Sequence, residues 1–362
     1  MDVVIESLQS DSFRQEWDTL ARNSPAGIFA TAEWHLAIQA AYAGLGEPLV
    51  AAIQDGGRLV GLAPLRVCER FLFRNTSLLG MGEGGYGLAD YGCILASPGR
   101  ERDVADALVA WLKDQGWWHL LDLQQLPQGP MTEALVEALG RTRLRSLFHR
   151  QNICHVVSLP ATWAEYRARL SSGSREWLER RPRKVERELG ARVEFVEPDQ
   201  LIAEYTNLRR LQAQRFAAFP EEFERRLTKV ITTWLPMAYE RGWVRMFRLR
   251  SGSRTLGGFL GYEYEGAFYA HSIASEPQLV RTRYSLGACL FAYALRWSIE
   301  RGLMRFDMMR GDHRYKDRLG GEQRSNYRLI AFRQPVRGRA LETLIRMRTR
   351  MRRHEPWRAA AA

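Results

Sequence analysis

The stretch that decides the fold is Tyr284-Ser-Leu-Gly-Ala-Cys-Leu-Phe-Ala-Tyr-Ala-Leu-Arg-Trp-Ser-Ile-Glu300, continued by Arg-Gly-Leu-Met-Arg-Phe-Asp307-Met-Met-Arg310 and Gly-Asp-His-Arg-Tyr-Lys316. Leu286 to Glu300 is an apolar run of helical length, and Gly302 supplies its stop. Leu303 to Met309 reads as a short strand carrying Asp307. The loop after it brings together Arg310, Asp312, His313, Tyr315 and Lys316, and loops at strand ends carry chemistry. At the other end, Ser285, Leu286, Gly287 and Ala288 open the helix with small residues. A ligand can approach helix N–H groups there, and the partial positive charge suits a pyrophosphate. The same residues also fit a plain Ser N-cap with a small packing face.

Moving outward, the order strand, turn, strand, helix, Gly, strand occurs twice. Leu49 to Gln54, Asp55-Gly-Gly-Arg58 and Leu59 to Val67 form a hairpin. The glycine-rich loop Gly80 to Gly92 follows, then a helix from Glu101 to Gln115, Gly116, and a strand from Trp118 to Gln124 with Asp122. In the second half, Trp243 to Leu249, Leu256 to Tyr264 and Ala267 to Ile273 are strands, followed by the helix to Glu300 and the strand with Asp307. Asp122 falls six residues after Gly116 and Asp307 five after Gly302. Two related α/β modules in tandem are expected, residues 1–158 and 159–362. Between them lies an arginine-dense helical insertion, about 163–241, in which Pro182 should kink or split the helix Trp163 to Leu189. The segment from Arg337 to Arg353 has the pattern of a basic amphipathic helix.

Composition narrows the classes. The 362 residues suit two domains, and 46% hydrophobic with 26% charged residues is globular composition. No segment has the uninterrupted apolar length of a membrane span, and Met1-Asp-Val-Val-Ile-Glu lacks a basic start and apolar signal core, so a cytoplasmic location is expected. Four cysteines are scattered without a Cys-x-x-Cys pair, which argues against a disulfide or zinc framework. A formal charge of +12 admits anionic partners, or arginines spread over solvated faces. No metal-ligand cluster, nucleophile elbow or dinucleotide fingerprint stands out, so no metal is expected.

The second copy holds the chemical equipment. Lysine occurs only at 113, 184, 229 and 316, which singles out Lys316 as a group for an oxyanion or a phosphate. Tyr315 can donate a proton. Asp307 either orders the following turn or orients Lys316 or an amine. His271, on a strand between apolar neighbours, reads as a core histidine or as a base facing the same cleft. Ile273 ends the strand before the helix start, and Arg283 with Arg281, which precede that start, can add charge-assisted contacts to a bound anion. Asp122 is followed by no lysine or histidine before Pro130, so the first copy is expected to shape a substrate cleft, with Asp90 and Tyr91 at its edge. Arg175 opens the basic helix and can meet an anionic substrate, as can Arg310.

These motifs resemble the CelD/BcsL group of GNAT-like acyltransferases, related to the FemAB peptidyltransferases. The resemblance rests on Phe29-Ala-Thr-Ala-Glu-Trp34, Gly57 through Leu65, Asp90-Tyr91, Ser174-Arg175, Ser285-Leu-Gly287, and Asp307 through Gly311 to Tyr315-Lys316. It implies two tandem GNAT folds with a helical insertion in the second. It also implies acyl transfer from acetyl-CoA to an amine or hydroxyl of a small molecule or glycan, linked to cellulose or exopolysaccharide production. The phosphate loop departs from the form Gln/Arg-x-x-Gly-x-Gly/Ala, since Tyr284 stands three residues before Gly287. Three other readings stay open: aminoacyl transfer from tRNA in the FemAB manner, a silent module in a polysaccharide-synthesis assembly, and simple nucleic-acid binding.

Overall fold

The computed structural model describes residues 1–70, 73–78, 89–215, 220–280 and 284–333. Most of the glycine loop, Arg281, Arg283 and the basic segment 337–353 lie outside the described residues. The chain forms two compact units. Unit one comprises Met1–Asn152, Arg225–Trp234 and the described residues from Ser325 on; unit two comprises Ile153–Glu224 and Leu235–Arg324.

In chain order the first half runs β1 Asp2–Glu6, α1 Asp11–Ala21, α2 Ala32–Ala41, β2 Glu47–Asp55, β3 Arg58–Arg70, β4 Phe73–Leu78, β5 Leu95–Ala96, α3 Glu101–Asp114, β6 Leu120–Pro127, α4 Pro130–Gly140 and β7 Arg145–Ser158. The second half runs α5 Trp163–Arg169, α6 Ser172–Leu189, β8 Arg192–Phe195, α7 Leu201–Arg215, α8 Glu221–Glu240, β9 Val244–Ser251, β10 Arg254–Tyr264, β11 Ala267–Ser275, α9 Pro277–Val280, α10 Leu286–Glu300, β12 Arg305–Arg310, α11 Arg314–Arg318 and β13 Glu322–Phe332.

Each unit repeats one topology. In unit one, β1 to β4 pair antiparallel in sequence order, β6 joins β4 in parallel, and β13 closes antiparallel on β6. In unit two, β8 to β11 pair antiparallel, β12 joins β11 in parallel, and the residues of β7 from Cys154 to Ser158 close antiparallel on β12. A parallel pair needs a crossover, and in unit two α10 provides it. The expected tandem α/β modules are present. The division expected at 158/159 falls at Asn152/Ile153, and the last strand goes to unit one because Asn326–Phe332 pairs with Leu120–Pro127.

The core that fixes the site lies between the unit-two sheet and α10. Phe259, Phe268 and Phe306 are fully buried with Leu286, Leu290 and Leu295 of α10. Phe268 stacks on Phe306 at 5.0 Å between centroids, and Phe291 meets Phe259 edge-on at 5.2 Å. Aromatic pairs of this kind add about 0.5–1.5 kcal/mol beyond area burial. The stop at Gly302 is a Schellman motif: Gly302, at φ 75°, donates to Ile299 O and Leu303 donates to Ser298 O. Gly261 is required by packing, since a Cβ there would lie 2.3 Å from Phe268 Cζ.

One expectation is corrected. α6 continues through Pro182, and the break in the basic segment falls earlier, at Leu170–Ser171. Leu170 is extended, and Ser171 Oγ accepts from Ser174 N at 3.2 Å, so a new helix begins there.

Candidate functional site

Two parallel strands part at one level of unit two. The β11–β12 ladder runs Ala267↔Arg305, Phe268↔Phe306 and ends at Tyr269↔Asp307, although β11 continues to Ser275 and β12 to Arg310. Both strands become irregular just beyond that rung. Against β10, the register slips between Leu260↔Ser272 and Tyr262↔Tyr269, so β11 carries one extra residue around Ala270–His271. Against β7, β12 slips between Asp307 and Arg310, and Met309 takes φ 60°. A bulge leaves ladder groups unpaired and turns the strand. Two bulges facing each other therefore open a gap lined by main-chain donors and acceptors.

The gap has different chemistry on each side. A Cβ on Gly257 would meet Leu290 of α10, and one on Gly258 would meet Leu208 of α7, so the two helices cover opposite faces of the sheet. His271 is on the α7 face, its ring 5.3 Å from that of Tyr262 and its Nδ1 3.2 Å from Ser272 Oγ. Ile273 is half-buried and packs toward α10, while its carbonyl accepts from Gln212 of α7 at 3.5 Å. Asp307 forms the floor: it is 7% exposed and its Oδ1 accepts from Met309 N at 2.8 Å, which fixes the bulge. Beside it, burial and then the Asp307 charge push the Tyr269 phenol well above its ordinary pKa.

At the α10 entrance, Ser285 does not cap the helix with its side chain. Its Oγ accepts instead from Arg181 of α6 at 2.7 Å. Ala288 N is committed to Ser285 O at 3.0 Å, so the first-turn donors left for a ligand belong to Leu286 and Gly287. The Leu286 side chain is core, and a Cβ on Gly287 would find its nearest neighbour, Ile273 Cδ1, 4.0 Å away. Among the described residues, side chains therefore leave the entrance open at Gly287. Helix α6 brings more positive charge: Lys184 lies 5.8 Å from the Tyr284 ring, and the Tyr284 hydroxyl donates to Glu188 at 3.1 Å.

Lys316 is not at a cavity surface. It is 1% exposed, and its Nζ donates to Met309 O at 2.9 Å and Arg310 O at 2.7 Å. The lysine holds the carbonyls that the β12 bulge turns inward. Below it, His155 is fully buried, with Nε2 3.4 Å from Asp317 Oδ1, an ion-pair contact too misaligned for a well-formed hydrogen bond. Burial, and next the Lys316 charge, lower the His155 pKa, while Asp317 and Asp312 act in the opposite direction. Tyr315 is half-buried with its ring 5.1 Å from Phe291, and His313 stacks on it at 5.7 Å. Burial pushes the Cys289 thiol up to about 12, so the cysteine nearest the entrance is no nucleophile.

The remaining expected residues are scattered. Arg175 donates to Leu170 O at 2.8 Å, a contact that ties α6 to the end of α5. In unit one, Tyr91 is buried against Phe29, and the Asp90 carbonyl accepts from Asn326 at 2.8 Å. In unit one a polar network surrounds Asp122, the aspartate that corresponds to Asp307. Arg328 makes a two-point contact with Asp122, Gln124 donates to Asp122, and Gln125, at φ 55° like Met309, donates its N–H to Gln151 Oε1 and accepts from Asn326. Arg181 was not singled out in the sequence, being one of a run of arginines that spacing alone cannot rank. Among the described residues no cluster of His, Cys, Asp or Glu could hold a metal ion, and no helix is long and apolar enough to cross a membrane.

A family model described as an acetyltransferase (GNAT) domain matches residues 172–317, the span from α6 to α11. Among solved structures, FemX is similar at a TM-score of 0.63 with 10% identity, covering 93% of this chain and 98% of that one. L-PGS from Bacillus licheniformis is similar at 0.52 with 13% identity, covering 93% and 95%. The C-terminal domain of a putative lysylphosphatidylglycerol synthetase from Agrobacterium fabrum is similar at 0.52 with 11% identity, again covering 93% and 95%. Among curated proteins nothing matches this sequence. The chain has a mixed α/β, tandem GNAT-like acyltransferase fold.

Proposed function

We propose that this protein transfers an acyl group, in the simplest case acetyl from acetyl-CoA, to an amine or hydroxyl acceptor, with the reaction in unit two. The observation that carries the reading is the gap beyond Tyr269↔Asp307, flanked by two bulges and opening beside an uncapped helix start. The donor's diphosphate would sit against the N–H groups of Leu286 and Gly287. Arg181 and Lys184 of α6 supply cations beside Tyr284, which stands where the common phosphate loop has Gln or Arg. The thioester would lie along β11 past Ile273, where a main-chain N–H freed by the bulge can stabilise the tetrahedral oxyanion. His271, at that bulge on the α7 face, is placed to take the proton from the attacking group. Asp307 and Lys316 position the opposite wall through Met309 and Arg310, and Tyr315 lines the loop beyond. No covalent enzyme intermediate is needed. The filled network around Asp122 favours a non-catalytic role for unit one.

Calorimetric titration with acetyl-CoA and CoA tests this reading. Saturable binding is expected, weakened about tenfold (~1.4 kcal/mol) in Arg181→Ala, with a shallower salt dependence. No binding of either compound at millimolar concentration would overturn donor use of CoA. A second reading, aminoacyl transfer from tRNA in the FemAB manner, is favoured by the fold shared with FemX over nearly both whole chains. It predicts turnover with aminoacyl-tRNA and none with acetyl-CoA. The acceptor reading leaves room for a glycan, and a place in exopolysaccharide assembly would follow from such an acceptor.

A further inference from the structure

The proposed reaction leaves one cavity of unit two unexplained. An open cleft of about 550 Å³ lies between α7, the start of β10 and the chain leaving β11. It sits on the α7 side of the sheet, the side opposite α10. Its walls are mainly polar, with Leu211 and Pro277 among them. Asn207, Gln214 and Gln278 bring carboxamides, each able to donate and accept, which matches hydroxyl groups rather than an apolar chain. Arg210, Arg254 and Glu276 bring charge.

The charges do not cancel. Arg254 pairs with Glu276. Arg210 donates to Asn207 Oδ1 at 2.8 Å and, among the described residues, pairs with no carboxylate. A guanidinium with donors to spare in a polar cleft is suited to an oxyanion, which it can grip through two N–H groups. We infer that this cleft binds a polyhydroxylated anion, of the sugar phosphate or sugar acid kind. Five residues of extended chain, ~17 Å, separate the β11 bulge at His271 from Glu276. On the acyl-transfer reading above, on which this step rests, the cleft holds the anionic end of an extended acceptor whose other end reaches the gap.

Titration of the full chain with glucose 6-phosphate, glucuronate, glucose and inorganic phosphate tests the assignment. At least one of the two sugar anions is expected to bind saturably, at least tenfold tighter than glucose or phosphate alone. The preferred one tells a phosphate from a carboxylate ligand. Arg210→Met is expected to weaken that binding at least tenfold and to leave acetyl-CoA binding unchanged. Failure of both sugar anions to saturate at millimolar concentration, equal binding of phosphate alone, or an unaltered Arg210→Met titration would overturn the assignment. Sugar-anion binding without any acetyl-CoA binding would uphold the cleft and sink the donor reading, so the two fail separately.

Discussion

Replacing Lys316 with Met separates two roles for this residue. Its ammonium is buried at 1% exposure and donates to the carbonyls of Met309 and Arg310. Methionine keeps the length and removes both bonds. Each orphaned buried carbonyl costs about 1–3 kcal/mol, so the pair costs about 2–6 kcal/mol. Relief of the ammonium's own desolvation brings the expected net to about 2–3 kcal/mol. In a unit of this size that lowers the melting temperature by about 5–10 °C. Thermal and urea unfolding followed by tryptophan fluorescence would read the loss, and a turnover assay below the transition would be run beside it. Turnover is expected to fall together with stability, because the bulge that shapes the gap relaxes. A variant that unfolds like the parent while its turnover collapses would refute the argument and put the ammonium in contact with the acceptor.

Three further outcomes follow from particular contacts. Gly287→Ala should bind acetyl-CoA within about threefold of the parent, since its Cβ finds 4.0 Å of room, whereas Gly287→Leu should abolish binding without unfolding the protein; calorimetry reads both. His35 is buried beside Trp17 and Cys93, and burial lowers its pKa from 6.5 to about 3, partly offset by the Phe29 carbonyl. The unfolded chain therefore binds the proton first, so stability present above pH 6.5 is lost as pH falls towards 3, by about 2 kcal/mol between pH 7 and 5, and His35→Gln should flatten that slope in urea titrations. Gly61→Ala places a Cβ 2.5 Å from Val104 Cγ1 and should destabilise by about 1–3 kcal/mol, with Val104→Ala restoring part of the loss in a double-mutant cycle.

The parts of the fold legible in the sequence are those written in local chemistry. The hairpin between β10 and β11 turns at Glu265-Gly266, both at positive φ, and that dipeptide signals a turn on sight. The helix stop at Gly302 and the buried strand with Asp307 are likewise local. Strands β7 and β13 were not legible. Arg145 to Gln151 and Glu322 to Asn326 are rich in polar residues, with no clean alternation to mark them. Their partners, β12 and β6, lie roughly 150–200 residues away, so nothing nearby announces the pairing. For the candidate site, Ser285 to Ala288 and Asp307 could be singled out because glycine and a strand-end carboxylate are local signals. The burial of Lys316 was hidden, since it depends on a positive φ at Met309 that no residue type there reveals. Arg181 was hidden because only tertiary packing of α6 on α10 selects it from its neighbours.

The central claim is that an acyl donor occupies the α10 entrance and the gap between β11 and β12. Hydrogen exchange of the full chain with and without saturating acetyl-CoA tests it most directly. Slowed exchange is predicted at the amides of Leu286 and Gly287 and along Ala270 to Ile273, with the unit-one strand β6 unchanged. Protection confined to β6 and its neighbours, or no change at either unit-two segment despite bound ligand, would contradict it.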